Sequence, residues 1–343
     1  MGYGIGQSGN SFRDPFGARH DQPFGCWKPR EGGNPVTLIS PRLKSLGPRL
    51  RGDDDFIFQG FKSVRLRLAA VVGGLVTMLS VGHAIAAPPE ERTTQARHAA
   101  TACCEIVELR QYTLYPGTRD AFIPLFESTF IESQEAVGIV LSGLFRDIND
   151  ANRFIWMRGF DSMQARLKAL TDFYYGPVWQ AHREQVNPML YDNDNVLLLH
   201  PAATGSGFVV DAGERPAVGD RPVRNDFVVG TIYYFERPVS EAFVAQFEQE
   251  LKPLFEKSGA RVLATYVSEK SPNTFERLPV REKDNVFVWF AGFADRQAYD
   301  QYIDRLGRDE RWSGELFASL NKALQRPPET LMLQPTTRSL VGH

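Results

Sequence analysis

Glu108, Arg110 and Tyr112 alternate along one segment of this sequence, and Phe154, Trp156, Arg158 and Phe160 alternate along another. Residues two apart in extended chain share a face, so each segment gathers polar and aromatic groups on one side. Two guanidiniums beside a carboxylate can orient an anionic or carbonyl-bearing ligand through paired donors. A few polar groups inside an aromatic wall are also the usual make-up of a small-molecule pocket. The same residues can form an internal ion pair instead, since a buried carboxylate needs a cation with or without a ligand. A second constellation is Tyr174, Tyr175, Trp179 and His182, with the last two one helical turn apart. His182 suits a general base, a haem ligand or a solvated side chain. The ligand-binding candidates are Arg110, Tyr112, Trp156, Arg158, Tyr175 and Trp179. The catalytic candidates are Glu108, Tyr112 and His182.

Other chemistries have little footing. There is no Cys-x-x-Cys pair, no His-Glu-x-x-His, no phosphate-binding glycine loop and no serine in a nucleophile elbow within the folded region. Neither a metal site nor a cofactor is expected. A net charge of −2 from 39 basic and 41 acidic side chains argues against a nucleic-acid surface. Cys26, Cys103 and Cys104 cannot build a disulfide framework and read as incidental.

The elements that must position these residues are written twice. The run 154–160 returns as 287–293 and Trp179 returns as Trp312 at one constant offset. Tyr112, Phe122, Phe126 and Gly138 return as Tyr233, Phe243, Phe247 and Gly259 at a second. In the first copy, alternation marks strands at 104–114, 139–145, 153–160 and 196–200. Apolar spacing marks helical zones at 118–134 and 162–189, the latter interrupted at Gly176-Pro177. The second copy repeats this with strands at 228–235, 261–267, 285–293 and 330–333 and helical zones at 240–257 and 295–324; its extra residues within 268–284 merely lengthen a hairpin loop. Strand, helix, two strands, helix, strand is the ferredoxin-like plan. A sheet with both helices on one face needs cover on the other. The expected fold is therefore α+β, with two tandem ferredoxin-like (βαββαβ) domains at 104–201 and 227–335, joined by a linker at 202–226 and packed sheet to sheet as an α/β barrel.

Comparison of the copies separates packing from chemistry. Glu108, Arg110 and Arg158 correspond to Val229, Thr231 and Ala291, so the first copy is charged where the second is small or apolar. If that face points into the barrel, it lines a pocket biased toward the first copy; Val107 and Leu109 also make a plausible core side.

The run Glu108-Leu109-Arg110-Gln111-Tyr112-Thr113-Leu114-Tyr115-Pro116-Gly117 resembles the opening signature of the NIPSNAP family. Phe173-Tyr174-Tyr175-Gly176-Pro177-Val178-Trp179, His182-Arg183 and the run from Asp194 to Leu199 reinforce the likeness. It is strongest over 104–201 and looser over 227–335. The resemblance implies a dimeric α/β barrel fold and no settled reaction. Wider barrel relatives include cofactor-free monooxygenases and haem enzymes, an analogy of fold alone. The reading that results is a protein binding a small molecule in a barrel pocket of the first domain. The rivals are a cofactor-independent monooxygenase or isomerase, in which Arg110, Arg158 and Tyr112 hold an enolate and Glu108 or His182 is the base, and a non-catalytic interaction module. A homo-oligomer remains open.

Ahead of the repeats, residues 1–63 have a composition that cannot bury enough apolar surface to fold, and read as disordered or as an untranslated extension. Lys62, Arg65 and Arg67 precede an apolar run over 68–81 and an Ala84-Ile85-Ala86 cleavage pattern, so 64–86 reads as a signal peptide with Val64 as a candidate initiator and 87–103 as a linker. Export to the bacterial periplasm or medium follows, with no stable membrane span after cleavage. The alternative is an anchor over 68–87, which is long enough to span a bilayer. N-terminal sequencing of the mature protein is expected to begin at Ala87; recovery of a peptide from residues 1–60 in the native precursor would exclude the late start.

Overall fold

The computed structural model describes residues 101–102, 104–220 and 226–342. The segment expected to be disordered (1–63), the expected signal peptide or anchor, and most of the first linker lie outside the described residues. Among those described, no helix is long and apolar enough to cross a membrane.

Eight strands dominate: β1 (Ile106–Leu114), β2 (Val140–Asp147), β3 (Arg153–Phe160), β4 (Val196–Pro201), β5 (Phe227–Phe235), β6 (Arg261–Ser268), β7 (Asn285–Phe293) and β8 (Arg326–Pro335). Helices α1 (Arg119–Thr129) and α2 (Ile131–Glu135) follow β1, and α3 (Met163–Tyr174) and α4 (Pro177–Val186) follow β3. In the second half, α5 (Glu241–Gln246) and α6 (Lys252–Ser258) follow β5, while α7 (Arg296–Arg308) and α8 (Phe317–Ala323) follow β7. The order strand, helix, two strands, helix, strand thus runs twice.

Local chemistry fixes the helix ends in matching ways. Ser162 caps α3 by accepting from the Ala165 N–H, and its counterpart Asp295 caps α7 by accepting from Ala298 N–H. Gly138 and Gly259, at φ of 89° and 114°, end α2 and α6 in the left-handed region that suits glycine. In both, the next amide donates five residues back, Ile139 to Gln134 O and Ala260 to Phe255 O.

The strands close into one antiparallel barrel in the order β1-β3-β2-β8-β5-β7-β6-β4 and back to β1, with the short strand Leu190–Asp192 added on β1. Closure uses one joint at each side. Leu333 to Pro335 of β8 pair with Asp147 to Phe145 of β2, and Leu199 to Pro201 of β4 pair with Ser268 to Tyr266 of β6. The barrel interior is filled by one apolar set drawn from both halves, including Val107, Leu109, Met157, Ile232, Val288 and Phe290. Eight-stranded barrels are just wide enough for side chains to fill them.

Three segments differ from the sequence reading. The connector after β4 is more than a spacer: Phe208 is buried against Phe290 and Tyr266, and Val209–Val210 pairs with Thr101–Ala102. Beyond β8, Thr336 and Leu340 N–H donate to Leu144 O and Ser142 O, tying the chain's end onto β2. Cys104 is disulfide-bonded, so it is not incidental. Phe290→Ala should lower the free energy of unfolding by about 3–5 kcal/mol, as expected for deleting a fully buried aromatic side chain, measured by urea denaturation.

Candidate functional site

Strand register brings the polar residues together. Glu108 on β1 lies directly opposite Arg158 on β3, Arg110 opposite Trp156, and Tyr112 opposite Phe154. Their shared face is not the barrel interior, which takes Val107, Leu109, Ile155 and Met157. Tyr112, Phe154, Trp156 and Phe160 instead pack with Phe122 and Phe126 of α1 and Phe173 of α3. The expected pocket inside the barrel is therefore corrected: the charged cluster lies in the layer between sheet and helices of the first half. Period two gives each face its own set, and the barrel takes the more apolar one, which also carries Gln111 and Arg153.

Glu108 is the hub. Its Oε2 accepts from Arg110 Nη1 at 2.5 Å and from Arg158 Nε at 2.8 Å, and its Oε1 accepts from Arg166 Nε of α3 at 2.7 Å. All four residues are 0% exposed. Arg110 Nε also donates to the Tyr112 hydroxyl at 3.1 Å, and Arg110 Nη2 to Asn193 O at 3.4 Å. Arg158 Nη1 donates to Gln134 Oε1 at 3.1 Å and to the Tyr174 hydroxyl at 3.4 Å. Gln134 is fixed in turn, because its amide donates to Phe130 O. The Trp156 ring lies beneath the Arg110 and Arg158 guanidiniums at 5.5 and 5.2 Å.

Burial alone would raise the Glu108 pKa, but the charges of Arg158, Arg166 and Arg110 outweigh it and hold the carboxyl well below the usual carboxylate range. Burial likewise pulls Arg110 down, but Tyr112 and Glu108 reverse it and the net shift is upward. In Arg166 burial prevails and its pKa falls, although guanidinium remains charged at neutral pH. Burial raises the Tyr112 pKa, keeping the phenol neutral.

Three guanidiniums and one carboxylate leave this water-excluded layer with two positive charges in excess. Nη2 of Arg158, Nη2 of Arg166 and Nε1 of Trp156 are buried with no hydrogen-bond partner among the described residues. Every one of the three is a donor. Such a set repels cations, and among the described residues no group of three or more His, Cys, Asp or Glu is arranged for a metal.

The loop 269–284 between β6 and β7 covers this layer from the other half, which corrects its reading as mere extra length. Arg166 Nη1 donates to Asn273 Oδ1 at 3.0 Å and to Thr274 Oγ1 at 3.3 Å. Thr274 Oγ1 donates to Met163 O at the start of α3. Phe275 stacks on Tyr174 with ring centroids 5.9 Å apart, and Phe275 and Leu278 are buried in the first half's core. Asn273 is braced by its own Nδ2 to Leu278 O. Long insertions in otherwise compact domains often serve in this way.

Among the remaining candidates, Trp179 packs on Tyr174, Phe173 and Phe130 outside the cluster. His182 meets Phe130 edge-on, 6.1 Å between ring centroids, and Tyr175 is 62% exposed with Arg277 over its ring. The structure therefore joins Glu108, Arg110, Tyr112, Trp156 and Arg158 and leaves Tyr175, Trp179 and His182 apart. Sequence reasoning missed Arg166 and Gln134. The signal was present, since their counterparts in the second copy are Tyr299 and Phe255. Asn273 and Thr274 carry no such mark.

Comparison with known proteins adds a family. Residues 107–204 match the NIPSNAP family model, and no curated protein matches the chain. A NIPSNAP domain protein from Burkholderia xenovorans is 22% identical over 29% of this chain and 95% of its own, with a TM-score of 0.27. A NIPSNAP family protein from Agrobacterium tumefaciens is 24% identical over 28% of this chain and 91% of its own, with a TM-score of 0.26. A protein from Fusobacterium nucleatum named as a candidate monooxygenase is 11% identical over 69% of this chain and 94% of its own, with a TM-score of 0.43. Likeness at these levels says nothing about chemistry.

Glu108→Gln should cost about 3–5 kcal/mol of stability, because it strands three buried guanidiniums without their carboxylate. The wild-type folded pKa lies below the unfolded one, so this stabilisation is full above the ordinary carboxylate range and is lost as pH falls below about 4.5. Urea titrations from pH 7 to 3 should show the gap between wild type and Glu108→Gln narrowing on the acid side. The segment that holds Glu108, Arg110, Arg158 and Arg166 between sheet and helices lies within residues 107–204, the stretch that matches the NIPSNAP family model.

Proposed function

We propose that this protein binds a small anionic molecule at the Glu108, Arg110, Arg158 and Arg166 cluster. One observation carries the reading: a fully buried layer with two uncompensated positive charges and three donors lacking acceptors. One arginine is enough to neutralise one carboxylate, and each further buried positive charge is costly. An acceptor-rich anion would satisfy both deficits at once, and guanidinium forks suit carboxylate and phosphoryl groups. The second half supports the same reading by contrast. Its matching positions, Val229, Thr231, Ala291, Tyr299 and Phe255, form an ordinary core around Trp289.

Geometry favours binding over base catalysis by Glu108. A carboxylate held by three guanidiniums is a poor proton acceptor near neutral pH. An enolate-stabilising role, as in a cofactor-independent monooxygenase or isomerase, would rest on Arg110, Arg158 and Tyr112, with the base supplied elsewhere. The repeated element order and matched helix caps support each half as a ferredoxin-like domain. The basic, apolar and small-residue order of 64–86 supports export to a periplasm or beyond.

Native mass spectrometry of the protein, purified without added buffer anions, tests the reading. The expected result is a retained mass above that of the denatured chain, lost in Arg158→Gln. An identical mass in both states, with no anion able to shift the melting temperature, would overturn it.

A further inference from the structure

Resting on the anion-binding reading, we infer that the occupant is a dianion: a dicarboxylate, or a phosphate- or sulfate-type group carrying two negative charges. Three guanidiniums and one carboxylate converge within the layer, and all four are fully buried, so the excess is two charges and not one. The neighbouring polar groups do not alter the count. Tyr112, Tyr174 and Gln134 are neutral hydrogen-bond partners of Arg110 and Arg158. Asn273 and Thr274, which cover Arg166, are neutral as well. Asp194 feels the charge of Arg110, but it is only partly buried and no ion pair joins it to the cluster among the described residues.

The free donors agree with the charge count. The two unpartnered guanidinium nitrogens belong to Arg158 and Arg166, whose Nε atoms already sit on opposite oxygens of Glu108. Each therefore keeps one nitrogen without an acceptor, and Trp156 Nε1 adds a third, neutral donor. A monoanion would leave one buried cation uncompensated; a dianion neutralises the layer. Without Arg166, as without either of the other two arginines, the excess falls to one.

Thermal shift at constant ionic strength measures the preference with ligands differing in one charge. Succinate is compared with its monomethyl ester, phthalate with benzoate, and inorganic phosphate and sulfate with nitrate. Each dianion is expected to bind roughly tenfold or more tightly than its monoanionic partner. Arg166→Gln should abolish that preference, with the monoanions binding as well as the dianions. Arg166→Lys, which keeps the charge, should preserve the preference. The wild-type pairs decide the matter even if a variant fails to fold. Equal affinity for both members of each pair would overturn the dianion inference and leave anion binding standing. Absence of any shift, or shifts unchanged in Arg158→Gln as salts give by exclusion from any protein surface, would overturn both. Among the dianions, the arm that binds most tightly separates a dicarboxylate from a phosphate or sulfate group.

Discussion

One carboxylate facing three guanidiniums in a water-excluded layer is the constraint around which the first half is arranged. Glu108 neutralises only one of its partners, so the remaining charge must be managed by everything within reach. The Trp156 ring lies under two guanidiniums, Gln134 and Tyr174 accept from Arg158, and Asn273 and Thr274 accept from Arg166. Each of those side chains is itself held, Gln134 by the last turn of its helix and Asn273 by its own loop. Preorganised polar groups in low dielectric interact strongly and are costly to leave unmatched.

The two faces of the sheet divide the labour. Inside the barrel, side chains from all eight strands make a mainly apolar filling, with Gln111 and Arg153 hydrogen-bonded to each other on the same face. Outside it, the first half carries charge and the second carries Phe255, Trp289 and Tyr302 in the corresponding layer. The first half keeps an apolar core of its own, with Phe122, Phe126, Phe154 and Leu170 packed around the buried charges.

Much of this was legible in the sequence. The strand at 285–293 and that at 153–160 were marked by alternation alone, and Gly138 and Gly259 by their position after an apolar helix face. Copy comparison singled out Glu108, Arg110 and Arg158 correctly as a group. The side of the sheet they occupy was not legible, because β1 is buried on both faces and Val107 and Leu109 compete with Ile106 and Tyr112 as a core stripe. Arg166 was hidden by its place on a helix whose other inward residues, Ala169, Leu170 and Phe173, are apolar. The destination of the 269–284 loop is a tertiary fact, set by where Phe275 and Leu278 find cover, and no local pattern encodes it.

The closing joints have a wider consequence. Each half offers two strand edges, and each edge is paired by the other half. Two identical chains meeting in this way would be related by a two-fold axis, and every loop that covered a neighbour's site would have to be copied on both sides. Joining the halves in one chain lifts that symmetry. One side can carry the charged residues while the other carries the loop that covers them, so each closed barrel has one charged cluster.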